Sequence, residues 1–204
     1  MIVHNIPQGS KEWINLRAGR FTATDAVALH AMGKGLETAA LEKAVWWITG
    51  EPPESIETPA IVWGKEMEPV AAEEYAKGTW QEVKEVGFCE MDEYAGCSPD
   101  RLVGDDGLIE IKCKQPKNHL QTVLSGKIDS AHYGQIQFQL LVTGRKWCDY
   151  VCFCPFFKKK LFVKRVYPDK EYQDALLEGL KKGKKLIQEY IKRYEEQTNE
   201  ISGN

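Results

Sequence analysis

The sequence predicts an α/β protein in which one central, mixed sheet is flanked by helices. Helix-capping signals crowd the first third of the chain, period-two alternation marks its middle, and a one-sided apolar stripe fills its C-terminal stretch. Thr22 and Asp25 stand in capping-box relation and open a helix running toward Gly33, while Thr38–Ile48 is a second helix closed by Gly50. Glu51–Glu57 is a loop rich in proline and acid. Thr58-Pro59 starts a third helix. Pro69 is expected to kink or interrupt it just after Glu68, because its ring removes a hydrogen bond to the preceding turn; such a kink would help aim Glu68. Trp80–Cys89, Ala95–Val103 and Leu108–Lys114 are candidate strands. Two helices follow, then strands at Trp147–Phe156 and Lys160–Tyr167, then a last helix from Lys170 to about Glu196. Tyr172, Leu176, Leu180, Ile187, Tyr190 and Tyr194 line one side of that helix, a core-packing pattern.

The stretch from Ser98 to Lys114 is the densest in chemistry. Gly104-Asp105-Asp106-Gly107 is turn chemistry, so the segment reads as a hairpin with a half-buried second strand. On that strand Glu110 and Lys112 share one face, while Ile109, Ile111 and Cys113 take the core face. Asp100 lies beside them across the turn. Phosphodiester hydrolysis needs a hard cation on oxygen ligands and a water deprotonated near phosphorus. Asp100 and Glu110 can supply the oxygens, the Ile111 carbonyl is a further ligand, and Lys112 can orient the nucleophile or offset charge on the phosphate. A surface hairpin carrying a Glu/Lys pair for solubility would share this spacing, which does not decide between the two.

Composition narrows the class. A chain of 204 residues with 43% hydrophobic content suits a single domain, 1–204, and contains no apolar run of membrane-spanning length. The chain opens as Met1-Ile2-Val3-His4-Asn5, without a basic, apolar signal segment, and an intracellular location is expected. The six cysteines are read as reduced core thiols, since the paired Cys-x2-Cys blocks of a zinc or iron–sulfur site are absent. No Gly-x4-Gly-Lys-Ser/Thr loop is present, which excludes an ATP-driven motor in this chain. The net charge of -3 conceals a polarity: residues 1–100 carry 8 Lys/Arg against 17 Asp/Glu, residues 101–204 carry 19 against 13. Lys112, Lys114, Lys117, Lys158-Lys159-Lys160, Lys164-Arg165 and Lys181-Lys182 with Lys184-Lys185 could form a basic track for phosphates, although the last cluster reads better as a solvated helix face.

Four blocks then add a resemblance. They are Trp13 through Asp25, Trp63 through Pro69 with Ala72 and Tyr75, Cys97 through Cys113, and Tyr133 through Leu140. In this order they resemble the phage lambda exonuclease and YqaJ-type viral recombinase family of the PD-(D/E)xK nuclease superfamily. The pattern departs at Thr24, where lambda exonuclease has serine, and at His132, where it has tyrosine. The resemblance implies a restriction-endonuclease-like core and a Mg²⁺-dependent (Mn²⁺ as substitute) 5′-to-3′ exonuclease. Such an enzyme digests one strand of double-stranded DNA from its ends and leaves 3′ single-stranded tails for recombination by annealing. Asp100, Glu110, Lys112 and Gln135 would be catalytic, and Glu68, Asp100, Glu110 and Ile111 would hold one or two metal ions.

Arg17 and Thr24 would bind the DNA 5′-phosphate. On residue chemistry alone a guanidinium and a hydroxyl near a helix N-terminus suit a terminal phosphate, with a salt bridge and a helix cap as the alternative. The family further implies a homotrimeric ring, a single-strand annealing protein as partner, and the cytoplasm of a bacterial host carrying a phage or prophage. Competing readings are a structure-specific endonuclease, a RecB-like or Cas4-like nuclease module (the latter without its set pattern of four cluster cysteines here), or a silent DNA-end binder that recruits an annealing protein. The presence of Glu68, Asp100, Glu110 and Lys112 together argues against silence.

Overall fold

Two sheets meet where the sequence predicts one. In a computed structural model, which describes residues 1–52 and 57–202, the elements are β1 Ile2–His4, α1 Lys11–Arg17, a 3₁₀ turn Ala23–Asp25, α2 Ala26–Ala31, α3 Lys34–Thr49, α4 Pro59–Thr79, β2 Val83–Lys84, β3 Phe88–Asp92, β4 Ala95–Cys97, β5 Arg101–Val103, β6 Gly107–Cys113, α5 Pro116–Ser125, α6 Ser130–Thr143, β7 Trp147–Phe153, β8 Leu161–Val166 and α7 Lys170–Ser202. The middle of the Glu51–Glu57 loop, residues 53–56, lies outside the described residues. A small sheet has the order β1-β3-β4, and a mixed five-stranded sheet the order β2-β5-β6-β7-β8, parallel only between β6 and β7.

Each predicted strand on the N-terminal side splits for a local reason. Trp80 does not open a strand: it closes α4 in the left-handed region, at φ 56 and 95% exposed. The rest of Trp80–Cys89 divides at Gly87, where a Cβ would stand 2.2 Å from the Ile6 carbonyl oxygen, so the chain there runs hard against the N-terminal segment. Ala95–Val103 divides at Ser98-Pro99-Asp100, because proline has no N–H to give to a ladder. Pro69 does not interrupt α4. Ala71, Ala72 and Tyr75 bury one side of that helix against Ile109, Ile111, Val151 and Phe153, whereas Pro69 is exposed, where water can serve the carbonyl its ring leaves unpaired.

β6 is central, so its second face is also covered. Leu108 packs with Ile136 and Leu140 of α6 and Cys148 of β7, and the expected half-buried strand is buried from Gly107 through Ile111. A third cluster joins α2, α3 and α7 to the small sheet through Phe21, Leu29, Leu36, Leu176 and Ile187. Tyr194, expected in the α7 stripe, is 49% exposed. All six cysteines are free thiols; five are buried, and Cys113 is half-buried.

Candidate active site

The site forms where the chain leaves the small sheet for the large one. β5 pairs with β6 through Arg101↔Ile109 and Val103↔Gly107, and the same register puts Pro99 opposite Ile111. Proline cannot donate, so β5 does not extend the ladder back through Pro99. The Ile111 N–H is donated instead to Asp100 Oδ2, at 2.5 Å, and the Pro99 carbonyl accepts from Gln8 Nε2 at 3.1 Å. The Ser-Pro-Asp sequence thus ends a strand and brings a carboxylate onto the next one.

Glu110 is 4% exposed. Its Oε1 accepts from Lys112 Nζ at 2.6 Å and its Oε2 from Gln139 Nε2 at 2.7 Å. Burial pushes the Asp100 carboxyl well above the ordinary aspartate range; Glu110 and then Glu68 add to this, and Lys112 opposes it. Burial alone would pull the Lys112 ammonium down, but Glu110, Asp100 and Glu68 more than reverse it, so the lysine stays charged. Glu68 reaches this field from α4, and its Oε1 pairs with Arg101 Nη1 at 2.7 Å. Among the described residues no three His, Cys, Asp or Glu side chains stand together as a ready metal group. The donors nonetheless fit a hard divalent cation: the Glu110 and Glu68 carboxylates crowd Asp100 closely enough to raise it further. The Oε1 atoms of Gln135 and Gln139, one turn apart on α6, are buried without any hydrogen-bond partner among the described residues.

Arg17, Thr24, Asp100, Glu110, Lys112 and Gln135 all line one cavity of about 180 Å³, although they come from α1, the 3₁₀ turn, the seam, β6 and α6. Arg17 ends α1, a helix begun by Ser10, whose Oγ accepts the Trp13 N–H at 3.2 Å. Its guanidinium lies 4.2 Å over the Trp13 ring and has no hydrogen bond or ion pair among the described residues, so the salt-bridge alternative for Arg17 does not hold. Burial lowers its pKa, partly opposed by Asp25. Trp13 is fixed in turn by Nε1–H donation to Ser98 Oγ at 2.9 Å and to the Gly87 carbonyl at 3.1 Å. Thr24 Oγ1 bonds Thr22 Oγ1 at 2.9 Å. The capping box forms, with the Thr22 N–H donated to Asp25 Oδ2 at 2.8 Å. That carboxylate already occupies the helix start, so attraction for a phosphate rests on Arg17 rather than on free N–H groups.

The sequence assigns no role to Gln8, Trp13, Ser98, Arg101 or Gln139. Trp13 and Gln139 were visible only as members of the resembling blocks, and Gln139 follows Gln135 at helical spacing. The basic track also thins. Arg165 is bound to Asp149, and Lys181 and Lys185 pair within α7 with Glu178 and Glu189. His132 also stands near the site, its pKa lowered by burial and by Lys112 and Lys114.

A profile of the YqaJ-like viral recombinase domain matches residues 12–146. No curated protein matches. Among solved structures the chain is similar to an alkaline exonuclease, LHK-Exo, from Laribacter hongkongensis: 28% identity over 94% of this chain and 100% of that one, TM-score 0.87. The same exonuclease in complex with dAMP matches to the same extent. A phage-related exonuclease from Haemophilus somnus 129PT, 13% identical over 86% of this chain and 96% of that one with TM-score 0.67, shares the fold. With the profile covering more than half of its length, the chain belongs to the YqaJ-like viral recombinase domain family.

Proposed function

We propose that this protein is a divalent-metal-dependent exonuclease that digests one strand of double-stranded DNA from its 5′ end. One observation carries the reading: a carboxylate pair with its lysine and an unpaired arginine share the wall of a single cavity. The alkaline exonuclease activity named for the similar structure supports it. Glu68, Asp100, Glu110 and the Ile111 carbonyl would hold one or two Mg²⁺ ions, or Mn²⁺, which when bound supply Lewis acidity and a water of lowered pKa. Lys112, kept cationic by Glu110, donates to the phosphate oxygen or to the attacking water. Gln135 accepts a hydrogen bond from that water through its free Oε1, and Gln139 fixes the Glu110 carboxylate. Arg17 and Thr24 bind the terminal 5′-phosphate, which each cut regenerates. The same reading takes residues 1–204 as one nuclease domain. By family implication it works as a homotrimeric ring with an annealing protein, in the cytoplasm of a bacterial host, and leaves 3′ single-stranded tails for phage-type recombination. No helix among the described residues is long and apolar enough to cross a membrane.

The test is digestion of a blunt duplex labelled at either end, with and without a 5′-phosphate and Mg²⁺. Metal-dependent release of 5′-terminal nucleotides is expected; internal cuts, or binding without cleavage, would sink the reading. Two variants probe it further. Lys112→Ala is expected to lower kcat about 100-fold with KM within a few-fold of the parent, since its charge is used as the phosphate charge grows; a change confined to KM would make Lys112 a simple phosphate contact. Arg17→Ala is expected to lose at least about tenfold of the preference for 5′-phosphate over 5′-hydroxyl ends, the loss of a charge-assisted bond. It should also shorten runs scored under a heparin trap. Unchanged end preference would put the phosphate site elsewhere.

A further inference from the structure

Between β7 and β8 the chain turns through Pro155-Phe156-Phe157-Lys158-Lys159-Lys160. Phe157 packs inward, its ring 4.9 Å from that of buried His119. Phe156 does not: it is 70% exposed, and its ring lies within 9° of parallel to Trp63 of α4, centroids 6.2 Å apart. The Trp63 Nε1–H is closed off from water and has no acceptor among the described residues. Of the adjoining lysines, Lys160 is tied to Glu74 at 3.1 Å, whereas Lys158 and Lys159 are exposed and make no ion pair among the described residues. An outward ring flanked by two uncompensated ammonium groups matches a strand of nucleic acid, with a π-face for a base and cations for its phosphates. An apolar protein surface would leave both charges unmatched.

The position fits as well. β7 runs parallel to β6 with Phe153 opposite Cys113, and the Lys114 N–H is donated to the Phe153 carbonyl at 2.9 Å. The hairpin therefore leaves β7 at the same, C-terminal end of the β6–β7 pair at which Lys112 stands. On α4, Trp63 precedes Glu68 by five residues, about 7.5 Å along the axis. We propose that Phe156 and Trp63, with Lys158 and Lys159, form a stacking site for unpaired bases of single-stranded DNA beside the nuclease centre; this rests on the nuclease reading above. Because stacking accepts every base, the site holds the opened strand without reading its sequence.

The test is anisotropy of 3′-fluorescein oligothymidylate in EDTA, where nothing is cut, with the full chain. Phe156→Ala should weaken binding about tenfold, and Phe156→Tyr should keep it within about twofold. Lys158→Ala with Lys159→Ala should flatten the salt dependence by about one unit of log–log slope. Unchanged affinity in Phe156→Ala, or a loss that tyrosine does not rescue, overturns the proposal. So does a Phe156→Ala variant that binds normally but changes its sedimentation coefficient, which would make this surface a contact between copies. Duplex digestion by the parent separates the two claims. An inactive parent sinks the nuclease reading, and an active parent whose Phe156→Ala variant binds normally sinks the stacking site alone.

Discussion

Replacing Asp100 by asparagine, or Glu110 by glutamine, is expected under the proposed activity to lower Mg²⁺-dependent duplex cleavage by at least about three orders of magnitude, because each would remove a hard anionic ligand as well as part of the field that keeps Lys112 charged. The amide isosteres keep the neighbours of each group served: an asparagine oxygen can still accept the Ile111 N–H, and a glutamine can still meet Gln139. Melting temperatures should therefore stay within a few degrees of the parent. Digestion of labelled duplex alongside calorimetry checks both halves. Retained metal-dependent cleavage by either folded variant would remove the assigned centre, and a collapsed melting temperature would mean the acids are needed to hold the fold.

The second large effect concerns stability away from the chemistry. Asp149 of β7 is 3% exposed. It is held by Arg165 Nε and Nη2, each at 2.8 Å, and by the hydroxyl of Tyr75 at 2.7 Å. Arg165→Leu removes the only cation paired with this carboxylate among the described residues and is expected to cost about 3–5 kcal/mol, the penalty of a buried charge without its counter-ion. Arg165→Leu combined with Asp149→Leu should recover part of that loss, since the apolar pair avoids both charge-desolvation costs but leaves the Tyr75 hydroxyl without its acceptor. Urea denaturation of the parent, both single variants and the double variant gives the cycle. Additive losses would show that the bidentate pair is not the source of the effect.

What was legible in the sequence was local. The Gly104–Gly107 turn, the alternation of Leu108 to Cys113 and the common face of Glu110 and Lys112 are set by neighbours in the chain, and the sheet carries them as read. Gly50 closes α3 in the left-handed region at φ 72, as its position implies. Distant partners were not legible. Nothing near Ala95–Val103 tells that three residues pair with β3 and three with β6, and β1 is three residues, two of them exposed. α1 has seven residues and buries none of them fully, so it leaves no apolar period to find. Trp13 matters through Ser98, 85 positions away, and Gln139 through Glu110, 29 positions away. For Arg17 and Thr24 the family supplied a role, but only the folded chain brings them to the acids.

The passage from one sheet to the other through Ser98-Pro99-Asp100 has a consequence for when the protein becomes dangerous. Glu110 and Lys112 belong to the large sheet, whereas Gln8 and Trp13 are held by Val86, Gly87, Ser98 and Pro99 along the seam, and Arg17 rests on the Trp13 ring. Under the proposed activity, a copy whose N-terminal segment has peeled away would keep its acids but lose its grip on a strand end, so docking of that segment would switch the nuclease on.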